Sequence, residues 1–578
     1  MNSLSSTHKT PSPPAAQAAV WLLRFGLAFA LLNALWTFEN RWPGFGVHAM
    51  PRLSFELCLG VVALMGWVAW RGRLTGGAAT VWALGFVALV VVRYANVTAP
   101  AVLGRPVNVY WDGRHALELV QLATQALSAW QVLGIALGVA LAALAILIVV
   151  RHAIQVLAQC VAQPRPRPWP WLAALVAALS LSFVAYEPGQ RDTRWFFSLP
   201  ITPTLAHQGQ LLARVWWPAA GASVLDAGPA FDGDLSGLVS ARGPADVLLV
   251  FAESYGAGSF DQPEQAAALA DARAALQAAI DTGGRSVVSA RVTAPTFGGA
   301  SWLSHAGLLA GVDTRDPADH DLLLASERPT LVRHFARHGY RTVGWMPGIK
   351  RPWPEGAFYG FDRLADDAGM GYQGPDFGYW RIPDQAAMAL LHTQELDVGS
   401  GPFTRAPRFV VFPTTSTHAP FHPLAPFVEG ASRHTGPQTY TPEQAAQALA
   451  APNAAQQLMA PYLQSLRYQH AWLADYLRQR APRPLVMVIV GDHQPPALVS
   501  GPGASWEVPV HVVADDPALL QRLLGSGFAP GLTPSTHALG PMHELTRVLL
   551  AAFNAPGVHE MQGIDHVGAP VAVPHPGS

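Results

Sequence analysis

The chain has 578 residues, 50% of them hydrophobic and only 13% charged, against about 25% charged in an average soluble protein. A formal net charge of −1 lacks the basic footprint of a nucleic-acid-binding protein, so no nucleic-acid partner is expected. The only cysteines, Cys58 and Cys160, are too few for a zinc–thiolate site, and both precede the large C-terminal part, which excludes a disulfide-stapled outer domain.

The apolar excess lies before about residue 190. A bilayer crossing takes roughly 20 mainly apolar residues. Five stretches qualify, at about 17–37, 53–70, 77–97, 130–150 and 169–186. Trp36, Trp70, Trp130 and Trp169 lie near their ends, where an aromatic belt forms. The first stretch lacks a small-residue cleavage site and is followed by further spans, so it reads as an uncleaved anchor rather than a signal peptide. An odd number of crossings puts the termini on opposite sides. Lys9, Arg71, Arg73, Arg151, Arg165 and Arg167 would then be cytoplasmic, and Arg41, Arg52, Arg105 and Arg114 would not, which is only a slight charge bias. Arg24 and Glu56 fall inside predicted spans. An intramembrane ion pair or substrate path is one reading of them, and snorkelling from a span end is the favoured one.

The chain divides into a tail (1–16), the five-helix membrane domain (17–186), a Pro/Gly-containing juxtamembrane linker (187–243), a large outer domain (244–555) and a loose Gly/Pro/His-rich tail (556–578). In the outer domain DVLLVFA, SVVSARV, YRTVGWM, RFVVFPT, LVMVIV and VPVHVVA read as buried parallel strands. PEQAAALADARAALQAAI and PYLQSLRYQHAWLADYLRQ read as helices between them. The pattern predicts an α/β sandwich with a mainly parallel sheet, whose ligands bind beyond the carboxyl ends of the strands.

Four places carry candidate chemistry. In DVLLVFAESYG an apolar strand delivers Glu253, a hard-metal ligand or else an exposed loop carboxylate. In LVMVIVGDHQPP another strand ends in Gly491, Asp492 and His493, and adjacent carboxylate and imidazole favour a ligand pair over an ordinary turn. In TAPTFGGASWLSHAGLLAG, Ser301 follows two glycines at the start of a helix-like run. By itself it is an N-cap, and beside a divalent cation it is a nucleophile. In RFVVFPTTSTHAPFHP, His418 is either a satisfied loop histidine or a contact for substrate oxygens. His511 follows a strand-like run and is a candidate substrate contact, while His305, His422, His470, His537 and His543 read as ordinary histidines.

The order of these anchors, strand-Glu, small-residue nucleophile loop, Thr-His-Ala-Pro-Phe and strand-Gly-Asp-His, resembles the alkaline phosphatase/sulfatase superfamily. Within it the chain is similar to membrane-bound phosphoglycerol and phosphoethanolamine transferases, lipoteichoic acid synthase among them, which place a catalytic domain outside the cell after five spans. The resemblance implies metal ligation by Glu253, Asp492 and His493. It implies that Ser301 is a nucleophile that also touches the metal, and that His418 contacts the transferred group. The spacing from Ser301 to Gly311 reproduces the sulfatase motif.

Three departures from the family pattern matter. Leu303 and His305 stand where a formylglycine sulfatase needs Pro and Arg, which disfavours that chemistry. Serine replaces the usual threonine, which leaves Thr296 and Ser304 as alternatives. The cysteine-free outer domain leans toward the phosphoglycerol type. The expectation is a membrane enzyme with its outer domain in the periplasm or outside the cell. It uses one divalent cation, Mn²⁺ before Mg²⁺ or Zn²⁺, to move a headgroup from a lipid donor to a glycan or other hydroxyl acceptor. Its rivals are a membrane-anchored sulfate or phosphate ester hydrolase and a non-catalytic sensor or scaffold.

Overall fold

The computed structural model describes residues 14–554 apart from 42–43, 104, 115–119, 121–123, 125–126, 163–175, 178–196, 199, 217–227, 351–352, 379, 399–404, 437, 451–457 and 482. The expected span at 169–186, both tails and part of the 187–243 linker therefore lie largely outside the described residues.

The N-terminal part contains helices α1 (Pro14–Ala34), α2 (Phe55–Arg71), α3 (Gly76–Leu103) and α4 (Ala129–Ala162). Leu32, Leu57, Val61, Phe86, Val150, Ile154 and Leu157 form the seam along which they pack. Among the described residues, α3 and α4 are long and apolar enough to cross a membrane, and Ala18–Ala34 is a shorter apolar stretch. Arg24 and Glu56 do not pair with each other. Arg24 donates to Gln159, whereas Glu56 accepts from the backbone N–H groups of Ile201 and Thr202. Glu56 thereby caps the next helix, α5 (Thr202–Trp216), where a carboxylate suits the positive end of the helix dipole.

The outer domain is built on a nine-stranded sheet. Its strands are β1 (Asp246–Ala252), β2 (Ser286–Thr293), β3 (Arg341–Trp345), β4 (Arg363–Ala365), β5 (Arg408–Pro413), β6 (Leu485–Gly491), β7 (Glu507–Ala514), β8 (Ala529–Pro530) and β9 (Ala538–Pro541). Their order is β8-β2-β7-β6-β1-β5-β3-β4, with β9 also paired to β2. The run β6-β1-β5-β3-β4 is parallel, as expected.

The expectation fails at VPVHVVA, because β7 runs antiparallel to both β6 and β2 and the sheet is mixed. A fully buried apolar run reports that both faces are covered, not the direction of the strand. The segment between β6 and β7 holds only the short helix Ala497–Ser500, no crossover helix that would return the chain for a parallel strand.

Every residue of β1 is buried. Val247, Leu249 and Phe251 face one core, and Leu248, Val250 and Ala252 face the other, the period of two that a strand imposes. The first core is closed by α7 (Ser301–Ala310) and α10 (Leu545–Phe553). The second is closed by α6 (Ala270–Thr282), α8 (Asp384–Leu391) and α9 (Met459–Leu477). The result is a sandwich with helices on both faces.

The two parts of the chain meet at the end of α3. The backbone of Gly298 approaches the Leu103 carbonyl so closely that a Cβ there would lie 1.9 Å from its oxygen. Nearby, the Tyr110 hydroxyl donates to the Asp321 carboxylate.

Candidate active site

Neighbouring strands set the site. β1 and β6 are parallel and in register, with Ala252 opposite Gly491, so the next residues, Glu253 and Asp492, leave the sheet side by side. Gly491 permits this closeness, since a Cβ there would lie 2.0 Å from the Tyr255 carbonyl oxygen. The chain turns at once after Glu253, with Ser254 at φ 55, a left-handed conformation that L-residues hold only when their surroundings impose it. Here the Ser254 N–H donates to Asp492 Oδ1 at 2.8 Å, and its carbonyl accepts from the Tyr462 hydroxyl.

Glu253, Asp492 and His493 are all buried, and each offers one ligand atom, all within 4.8 Å of one another. The details fit a metal ion. Asp492 Oδ1 is used by the backbone N–H groups of Ser254 and His493, while the buried Oδ2 has no hydrogen-bond partner. His493 Nδ1 bonds the Gln494 carbonyl at 2.7 Å. Because a carbonyl only accepts, the proton sits on Nδ1, and Nε2 presents a lone pair. That Nε2 lies 3.4 Å from Glu253 Oε1 and 3.7 Å from Asp492 Oδ2. Burial, and then the neighbouring Glu253 carboxylate, push Asp492 up to about 7. Crowding of this kind is relieved by a cation.

Ser301 opens α7, where free N–H groups and the helix dipole favour an anion. It is preceded by Ala300 at φ 63, a second strained residue beside the cluster. The Ser301 hydroxyl donates to Glu253 Oε2 at 2.9 Å and lies 3.1 Å from His493 Nε2. The alternative hydroxyls are used elsewhere, Thr296 on the Gly299 carbonyl and Ser304 on the Asp492 carbonyl. Four sequence-predicted residues, Glu253, Ser301, Asp492 and His493, are thus brought together.

His418 lies on the loop after β5, partly buried, with its ring 4.8 Å from that of Trp380. Its Nδ1 bonds the Ala419 carbonyl, and burial lowers its basicity, with His493 and Asp492 among the charges acting on it. A cavity opens beside it, lined by Phe377, Trp380, Thr415, Ser416, His418 and His422 among others. His511 is not part of the cluster. It sits in mid-strand on β7 with Nδ1 on Ser289 and Nε2 on Tyr255, and burial holds it down to about 3.

Two further residues support the site. Thr414 Oγ1 accepts from the Glu253 N–H. Asp384, fully buried, accepts from the N–H groups of Thr415 and Ser416 and so fixes the loop that carries His418. In the sequence Asp384 reads as an acidic residue in the first turn of a helix, and nothing there pairs it with a loop some thirty positions away. Trp380 and His422 are likewise joined to the site only by the fold.

The family model described as Sulfatase matches residues 246–512. No curated protein sequence is detectably similar to the chain. Among solved structures, the lipooligosaccharide phosphoethanolamine transferase A (EptA) of Neisseria meningitidis is 12% identical with a TM-score of 0.42, covering 87% of this chain and 96% of its own. The lipoteichoic acid synthase LtaP of Listeria monocytogenes is 12% identical at 0.34, covering 57% and 77%. The phosphoglycerol transferase GacH of Streptococcus pyogenes is 10% identical at 0.29, covering 61% and 91%. Residues 246–512 thus carry a sulfatase family-model domain, seated on the mixed sheet that holds the Glu253, Ser301, Asp492 and His493 cluster.

Proposed function

We propose that the chain is a metal-dependent phosphoryl transferase that moves a phosphoglycerol-type headgroup from a membrane lipid to an acceptor hydroxyl through a covalent intermediate on Ser301. The observation that carries this reading is the Ser301 hydroxyl, which donates to Glu253 Oε2 and lies 3.1 Å from His493 Nε2. Glu253, Asp492 and His493 hold the cation, Mn²⁺ in preference to Mg²⁺ or Zn²⁺, as their mixed oxygen and nitrogen donors allow. A bound divalent cation supplies Lewis-acid polarisation and neutralises charge on phosphate oxygens.

The rest is work for the chain's own side chains. Ser301 Oγ gives up its proton to solvent water and attacks phosphorus, while the bond to the diacylglycerol oxygen breaks and that oxygen is protonated in turn. His418 holds the phosphoryl oxygens or protonates that leaving oxygen. An acceptor hydroxyl, on a glycan or elsewhere, then attacks the phosphoserine and restores Ser301. The cavity beside His418 is where donor headgroup and acceptor meet. Leu303 and His305, in place of Pro and Arg, speak against a formylglycine sulfatase. The helical part, α3 and α4 first, anchors the protein in the cell membrane with the outer domain in the periplasm or outside the cell. Anchoring raises the effective concentration of the lipid donor without any new contact.

The test is mass spectrometry of the full-length protein after incubation with phosphatidylglycerol and Mn²⁺. A glycerophosphate adduct on peptide 293–311, absent in Ser301→Ala, is expected. Turnover without such an adduct, or full turnover by Ser301→Ala, removes Ser301 from the nucleophile role. Release of free glycerophosphate as the sole product, whatever acceptor is offered, would make the enzyme a hydrolase.

A further inference from the structure

His305 lies one helical turn beyond Ser301 on α7, on the same face of the helix. Its ring packs 4.3 Å from that of Phe251, near the end of β1. Its Nε2 is buried and has no hydrogen-bond partner. A buried ring nitrogen is costly to leave unpaired, so something at this place satisfies it. Asp492 Oδ2 is likewise buried without a hydrogen-bond partner, and Ser304, the residue before His305 on α7, donates its hydroxyl to the Asp492 carbonyl at 2.6 Å.

We infer that His305 is a positioning residue for the metal centre: its Nε2–H reaches Asp492 Oδ2 through one bridging water and orients that carboxylate toward the cation. The inference rests on the metal-centre reading above. One lone pair of Oδ2 takes the proton of that water and another faces the cluster, while Oδ1 stays on the two backbone N–H groups that already hold it. All four bonding directions of the carboxylate are then assigned, which is how a ligand is held rigid. Outer partners of this kind typically contribute about 10- to 100-fold in metal affinity.

The experiment measures Mn²⁺ binding to the full-length protein by titration calorimetry, with thermal melting of each metal-free form as a check on folding. His305→Phe keeps the packing on Phe251 and removes the hydrogen bond. His305→Gln can place an amide N–H where Nε2–H stands. His305→Phe is expected to bind Mn²⁺ about 10- to 100-fold more weakly, with His305→Gln within about threefold of wild type. A purely structural histidine gives the opposite result, because His305→Phe would relieve an unsatisfied atom and leave affinity unchanged. Unchanged affinity in a folded His305→Phe overturns the inference and leaves the metal reading standing. A wild-type protein that binds no Mn²⁺ overturns both.

Discussion

Replacing Gly298 with alanine tests whether the end of α3 forms the floor of the nucleophile loop. The added Cβ would lie 1.9 Å from the Leu103 carbonyl oxygen and 2.9 Å from its carbon. Carbon and oxygen come no closer than about 3.3 Å even in weak hydrogen bonds, so loop and helix end must part by about 1.4 Å. Both obstacles are main chain, and no side chain can rotate away. Gly298 also has φ +64, which adds about 1–2 kcal/mol of strain for a residue with a Cβ. The Gly298 N–H donates to the Gln494 carbonyl, so a displaced loop pulls on the segment that carries His493 as well as on Ser301. A misplacement of about 1 Å at a reacting group costs about 10²-fold in rate. Gly298→Ala should therefore lower diacylglycerol release from phosphatidylglycerol about 100-fold. Gly430→Ala is the control, with φ +79 but nothing within 4 Å of its Cβ. It should lose about 1–2 kcal/mol of stability and keep its rate. Wild-type turnover by Gly298→Ala would show that the contact with α3 does not set the position of Ser301.

Asp384→Ala removes the acceptor for the Thr415 and Ser416 N–H groups. Leaving them unsatisfied should destabilise the domain by about 2–4 kcal/mol and loosen His418, read by urea unfolding together with turnover. His418→Ala should fold normally and lose roughly 10²–10⁴ in rate if the imidazole handles the leaving proton, and a full-rate variant would dismiss that role. Glu395 is buried against Arg341, Arg363 and Arg408. Despite the burial, the hydrogen bonds and charges of these arginines hold its carboxyl below the usual carboxylate range. Its contribution is complete above the unfolded carboxylate pKa of about 4.3 and is lost as pH falls through the lower folded value. Glu395→Gln should cost about 3 kcal/mol at pH 7 and flatten the acid limb of the stability curve, and an unaltered limb would place the titration elsewhere. Removing metal with a chelator should abolish turnover and lower the melting point. Mn²⁺ at 100 times its dissociation constant should restore about 2.7 kcal/mol.

The core of the site was legible because it lies on contiguous sequence. Glu253 follows β1 and the Asp492–His493 pair follows β6, and a long apolar run ending in ionisable groups is visible in one dimension. Ser301 was legible through the two glycines before it, which the structure uses at positive φ. What escaped depends on pairing across the fold. The direction of β7 is invisible in VPVHVVA, because strand polarity is decided by the partner and the connection. His511, a candidate substrate contact because it follows a strand-like run, lies opposite Ile489 and Ser289, which enclose it within the sheet. Asp384 and Trp380 reach His418 only through tertiary packing. Glu56, which invited thoughts of an ion path, turns out to hold the first N–H groups of α5.

The register of β1 on β6 has a consequence for how such a site can change. The gap between the two carboxylate positions is one step of the main-chain lattice, about 4.8 Å, and no lining side chain dictates it. The walls of the cavity beside His418, by contrast, come from irregular segments after β5 and before α8. On the proposed function, substitutions there would retune which headgroup or acceptor fits while the Glu253–Asp492 spacing is kept. On that proposal, selectivity and metal affinity would be separable traits in this scaffold, carried by different layers of the same fold.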